Sequence, residues 1–137
     1  MAQLDKIHDA VKNAFIKDGW TITAENFQMR FKELKLYGDL EAHKIFAVKG
    51  TEKIVVEAKS FLGVSAMSEF QKALGQYRIY KQVLSQLKPE VKVFLAIAES
   101  IYNKFFVGEG IQFIIEREEV AFFVVNLESE VIVKWIN

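Results

Sequence analysis

The stretch "KIVVEAKSF", residues 53–61, decides how the chain is read. Its β-branched residues mark a strand, and successive side chains on a strand point to opposite faces. Val55, Glu57 and Lys59 therefore share one face, and Ile54, Val56 and Ala58 share the other. A strand this apolar belongs in a sheet interior, where an unpaired charge is costly. Glu57 and Lys59 must then have partners or a task. For an isolated Glu-x-Lys match, a solvated or salt-bridged face is the commoner explanation.

Around this strand the pattern is mixed. "LDKIHDAVKNAFIKDGW" spaces Leu4, Ile7, Val11, Ala14 and Phe15 as a helix over about 3–17 that stops at Gly19. "WTITAENF" is a short strand, and "RFKELKLYGDLEA" reads as a second strand bent near Gly38. "HKIFAVK", a Lys-Gly-Thr turn and the opening strand follow. A long helix begins at Ser65 or Ser68 and ends at Pro89, with Phe70, Ala73, Leu74, Tyr77, Tyr80, Val83, Leu84 and Leu87 as its apolar stripe. "VKVFLAIAE" has the continuous apolar character of a strand covered on both faces. "SIYNKFF" and "GIQFIIEREE" read as helices, and "VAFFVVNLESEVIVKWI" as two strands around a turn near Glu128 and Ser129.

The expected architecture is one α/β domain over residues 1–137, in the order α-β-β-β-α-β with a C-terminal β hairpin and a central mixed sheet flanked by helices. At 137 residues and 51% hydrophobic there is core for one domain and no room for a second. The adjacent pair Phe122 and Phe123 points to burial on both sheet faces, which a homodimer interface would provide. The absence of cysteine excludes disulfides and thiolate metal sites. Without an apolar leader or a run of membrane-spanning length, a cytoplasmic location and no membrane partner are expected.

Eighteen basic and eighteen acidic residues cancel, so the bulk charge of a free-standing nucleic-acid binder is missing. Within the chain the charges separate. Residues 70–92 carry Lys72, Arg78, Lys81, Lys88 and Lys92 against Glu90, and residues 99–130 carry seven glutamates against Lys104 and Arg117. Each run also reads simply as a solvated face.

Hard divalent cations such as Mg²⁺ take oxygen ligands, usually one or two carboxylates with water and substrate phosphates. Glu57, the Ala58 carbonyl and a second acid would form such a set, and Lys59 would stand beside it. Asp39 is the first candidate for that acid, at a Gly-Asp step, and Glu41 is the alternate.

Asp39 with Glu57-Ala58-Lys59, between one helix and the next, resembles the PD-(D/E)xK nuclease superfamily, whose core is restriction-endonuclease-like. The resemblance implies that Asp39 and Glu57 hold Mg²⁺ (or Mn²⁺) and that Lys59 assists attack on a phosphodiester. "QYRIY" is similar to the Gln-xxx-Tyr motif of the RecB-like branch, which implies a place beside the site for Gln76 and Tyr80. Residues four apart share a helix face. His8, eleven residues before Gly19, stands where archaeal Holliday-junction resolvases carry an acid; a histidine does not reproduce a carboxylate. Gly38 replaces the motif's proline.

A wider resemblance runs through "HDAVKNAFIKDGWTIT", "VEAKSFLGVS", "FQKALGQYRIY" and "VIVKWI", which look like the XisH family of fdxN element excision controlling factors, found mainly in cyanobacteria. It implies a DNA-acting accessory of site-specific recombination, with the companion factor XisI and a recombinase as partners. An Mg-dependent endodeoxyribonuclease is the expected activity, with Lys72, Arg78 and Lys81 on DNA phosphates. The alternative is a non-catalytic module that grips DNA or XisI.

Overall fold

A computed structural model describes residues 2–27, 29–36, 42–61 and 65–136. Helix α1 (Ala2–Lys17) buries Ile7, Ala10, Val11, Ala14 and Phe15, the i, i+3, i+4, i+7, i+8 set of an amphipathic helix. Its end is a Schellman motif: Gly19 takes φ +90°, and its N–H bonds Ile16 O (3.1 Å) while Trp20 N–H bonds Phe15 O (2.9 Å). Trp20 then stacks on Phe15, with ring centroids 5.4 Å apart, which fixes where the chain enters the sheet.

Among the described residues the main sheet has six strands in the spatial order β1 (Thr21–Glu25), β4 (Ala42–Lys49), β5 (Glu52–Lys59), β6 (Val91–Ala98), β7 (Phe122–Asn126), β8 (Val131–Ile136). The pairs β5/β6 and β6/β7 are parallel and the rest antiparallel. Helix α2 (Ala66–Leu87) links β5 to β6. A short α3 (Glu99–Ile101) running into a π-helical turn, then α4 (Glu109–Arg117), links β6 to β7. The main sheet has the order helix, three strands, helix, strand, closed by the expected hairpin β7/β8, but its second strand is "AHKIFAVK", which reads in the sequence only as a lesser apolar segment, and not "RFKELKL".

Two apolar layers sandwich the sheet. On one face α2 and α4 cover Val55, Val93, Leu95, Ile97, Phe122 and Val124; on the other α1 covers Ile54, Val56, Ala58, Phe94, Ala96 and Phe123. The even and odd residues of β5 and β6 divide between the layers, as the pleat requires. Phe122 meets Phe106 at 5.5 Å, and Phe123 meets Phe15 at 5.2 Å and Trp135 at 4.9 Å. The chain itself covers this pair, so its burial calls for no subunit interface. No helix of the described residues is long and apolar enough to cross a membrane.

One strand differs from expectation. "RFKELKL" is a separate hairpin, β2 (Met29–Phe31) and β3 (Leu34–Leu36), turning at Lys32 and Glu33. The reason is parity: Phe31 and Leu34 are an odd number of residues apart, so one straight strand would send them to opposite faces, whereas as cross-strand partners they share one. Gly38, where a bend was expected, lies outside the described residues.

Candidate functional site

The β4/β5 turn sets the register of the site. Gly50 and Thr51 form a two-residue loop with φ +61° at Gly50, the first central position, which the II′ type reserves for glycine. Every pair below is then determined: Lys49 faces Glu52, Phe46 faces Val55, Lys44 faces Glu57 and Ala42 faces Lys59. Directly opposed antiparallel residues point to one side: Phe46 with Val55 and Lys44 with Glu57 take the side of α2, while Lys49 with Glu52 takes the side of α1.

Helix α2 is capped at its start and tied down at its middle. Its N-terminus is capped by Ser65, whose Oγ accepts from Ser68 N–H (3.2 Å). Further along, the buried Tyr77 hydroxyl accepts from Ala121 N–H (2.9 Å) and donates to Glu119 O (3.3 Å), tying the helix to the entry of β7. Rotation about the helix axis is thereby fixed. Gln76 faces the sheet, and its Oε1 accepts from Lys59 Nζ at 2.7 Å. Tyr80, one turn on, has its ring centroid 5.1 Å from Lys44 Nζ.

The result is a buried polar layer inside an apolar core. Glu57 is 0% exposed, and Lys44 and Lys59 are 1% exposed each. Glu57 stands with Lys44 and Lys59, the Gln76 amide and the Tyr80 ring, and Glu69 adds a second buried carboxylate on the same side of α2. Such a layer is costly to break, because losing one charged partner strands another away from water.

The remaining candidates fall elsewhere. Asp39 and Glu41 lie outside the described residues. Ala58 is paired with His43 on β4 and Ala96 on β6, with its methyl group on the α1 side. His8 sits on α1, which packs on the opposite face, and its Nε2 contacts Glu25 Oε1 at 2.8 Å. Lys12 reaches the second oxygen of Glu25 at 2.9 Å. Hydrogen bonds from His8, then from Lys12, hold the Glu25 carboxyl below its usual range, and the same contact raises Lys12. On α2, Lys72 pairs with Glu69 (3.6 Å), Arg78 with Glu118 (3.5 Å), and the Lys81 ammonium lies 5.5 Å from the Tyr77 ring centroid.

Two residues of this region were not anticipated. Lys44 was legible in principle, since a two-residue loop at Gly50 and Thr51 makes it the opposite of Glu57. Glu69, 4% exposed, stands seven residues before Gln76 and so lies on the Gln76 and Tyr80 side of the helix. Spacing alone could have marked it. Among the described residues no three His, Asp or Glu side chains form a metal cluster.

Comparison with known proteins agrees along the whole chain. The family model "XisH protein" matches residues 1–133. An XisH family protein from Nostoc punctiforme PCC 73102 is 37% identical with a TM-score of 0.89, over 97% of this chain and 100% of its own. An fdxN element excision controlling factor protein from Anabaena variabilis is also 37% identical, with a TM-score of 0.88, over 97% of this chain and 99% of its own. No curated protein matches.

Proposed function

The chain belongs to the XisH family, and on that premise we propose that it is a DNA-acting accessory of site-specific excision, built on a PD-(D/E)xK, restriction-endonuclease-like core with endonuclease chemistry. The observation that carries this reading is the 2.7 Å bond between Lys59 and Gln76 with Glu57 two residues away on the same strand face. Residues that resemble the superfamily's acid-x-lysine strand and the RecB-like glutamine lie close together there, which supports the reading. The name of the Anabaena variabilis relative, an fdxN element excision controlling factor, supports the biological setting.

A hard carboxylate followed by a backbone carbonyl on one strand is a donor set of the kind Mg²⁺ or Mn²⁺ takes together with water and phosphate oxygens. Glu57 and the Ala58 carbonyl would hold the ion, with Asp39 completing the set. When bound, the ion would supply Lewis-acid stabilisation of charge on the phosphate. Lys59 would orient the attacking water and, as the neutral amine, accept its proton at Nζ to become the ammonium, and Gln76 Oε1 would hold that nitrogen in place. Tyr80 packs against Lys44 and keeps the helix seated. XisI and a recombinase are the partners this role entails, in the cytoplasm where the DNA is.

A second reading is favoured by a specific observation: Glu57, Lys59 and Lys44 are all closed off from water, and Lys44 brings a second ammonium to the carboxylate. A site in that state serves a binding module that grips DNA or XisI without cutting. Nicking of supercoiled plasmid with Mg²⁺ or Mn²⁺, comparing wild type with Glu57→Ala and Lys59→Ala, separates the two. Cleavage by wild type alone supports the catalytic reading. Equal cleavage by all three marks a contaminant and ends it. No cleavage, with XisI retained in a pull-down, leaves the module.

A further inference from the structure

The β2/β3 hairpin stands apart from the main sheet, and its composition divides by face. Phe31 and Leu34, opposed across the ladder, line a groove with Gly75, Ile79 and Val83 of α2. Met29 anchors the base in the same core that holds Val55 and Tyr80. On the other face Arg30 is directly opposite Lys35, both exposed. Lys32 and Glu33 occupy the tip, and the Lys32 ammonium lies 5.4 Å from the Phe31 ring centroid.

Two features here oppose folding. Like charges directly opposed across a ladder destabilise it. Lys32 takes φ +54° at the first central position of a two-residue turn, the place where the chain's other such hairpin uses Gly50 at φ +61°. A β-carbon in that conformation is strained. No described carboxylate forms an ion pair with Arg30, Lys32 or Lys35, whereas Lys72 and Arg78 of α2 are each paired within the chain. An uncompensated cationic pair and a strained lysine persist where something else stabilises them or makes use of them.

Resting on the DNA-acting reading above, we infer that the β2/β3 hairpin, with Arg30 and Lys35 on its outer face and Lys32 at its tip, is a grip on the phosphate backbone of duplex DNA. The occupant follows from charge: three cations in a protein of zero net charge complement a polyanion. A two-stranded ribbon also fits against a duplex groove. The grip positions DNA and does not read it, because contacts to phosphate carry no sequence information. Its location suits the site, since Phe31 and Leu34 line a groove with Gly75 and Ile79, the neighbours of Gln76 and Tyr80 on α2.

The test is fluorescence anisotropy of the full chain with two labelled duplexes of unrelated sequence over a series of salt concentrations. Wild type is compared with the triple variant Arg30→Ala, Lys32→Ala, Lys35→Ala, and circular dichroism checks the fold of each. The triple variant is expected to flatten the slope of log binding constant against log salt by about 0.9 per lost phosphate contact, equally on both duplexes. Binding of the triple variant with wild-type affinity and slope overturns the hairpin assignment and leaves the DNA-acting reading standing. No DNA binding by wild type overturns both. Retained DNA binding with lost binding to polyglutamate assigns the face to an acidic protein instead. Lys32→Gly relieves the turn while removing a cation, so a higher melting temperature with weaker DNA binding is expected. A higher melting temperature with unchanged binding overturns the role given to Lys32.

Discussion

Lys44 and Glu57 stand directly opposite each other on β4 and β5, on the side covered by α2, and neither is open to water. Opposed residues of such a pair bring their β-carbons within about 5 Å. The carboxylate at the centre of the candidate site thus has a structural neighbour as well as a proposed chemical role.

Removing either partner alone should be destabilising. Glu57→Gln is expected to lower stability by roughly 3 to 5 kcal/mol, because it removes the carboxylate opposite the buried Lys44, and Lys44→Met by less, because Lys59 remains in the layer with Glu57. The double variant should lose less than the sum of the two. Urea unfolding of the four proteins measures this, and strict additivity would show that the two residues do not interact.

Gln76 holds Lys59 through a bond to a charged donor. Gln76→Ala should cost roughly 1.5 to 3 kcal/mol by chemical denaturation. If Lys59 works in cleavage, the same change should depress plasmid nicking beyond any loss of folded protein. Unaltered nicking by a stable Gln76→Ala protein would remove Gln76 from the site.

Tyr77 is expected to act through placement of α2. Tyr77→Phe leaves the Ala121 N–H without its hydroxyl acceptor and should destabilise by roughly 1 to 3 kcal/mol. A melting temperature equal to wild type would mean that this tie contributes nothing to seating the helix.

Glu25 makes part of the stability pH-dependent. Its folded pKa lies below the usual 4.5, so the stability it contributes is present above that value and is lost as pH falls through the depressed one. The advantage of wild type over Glu25→Gln should be full near neutrality and vanish in acid. Lys12, raised from 10.5, works in the opposite sense: its contribution is complete below that value and disappears at more alkaline pH. Urea midpoints across the pH range test both, and a constant gap between wild type and Glu25→Gln at all pH would refute the linkage.

Much was legible because local rules and tertiary packing agree. The Schellman stop at Gly19, the Ser65 cap and the continuous apolar run of β6 each follow from a few neighbouring residues. The alternation in "KIVVEAKSF" placed Glu57 and Lys59 on the face of Val55, and the structure has that face under α2. The hairpin at Lys32 was read as one strand because an alternation of apolar and charged residues does not by itself announce a turn without glycine. Only the odd separation of Phe31 and Leu34 carried that information.

What the sequence alone determined is therefore whatever one element settles within itself: periodicity, parity, caps, and the paired turn that makes Lys44 the opposite of Glu57. What only the tertiary structure decided is what meets across elements. The 2.7 Å contact of Lys59 with Gln76 depends on the rotation of α2, which Tyr77 and the packing of Phe70, Ala73 and Leu84 fix. The closure of Glu57 from water depends on two layers covering one strand. Such contacts join residues distant along the chain, and their geometry is set by the summed packing of side chains that no single segment encodes.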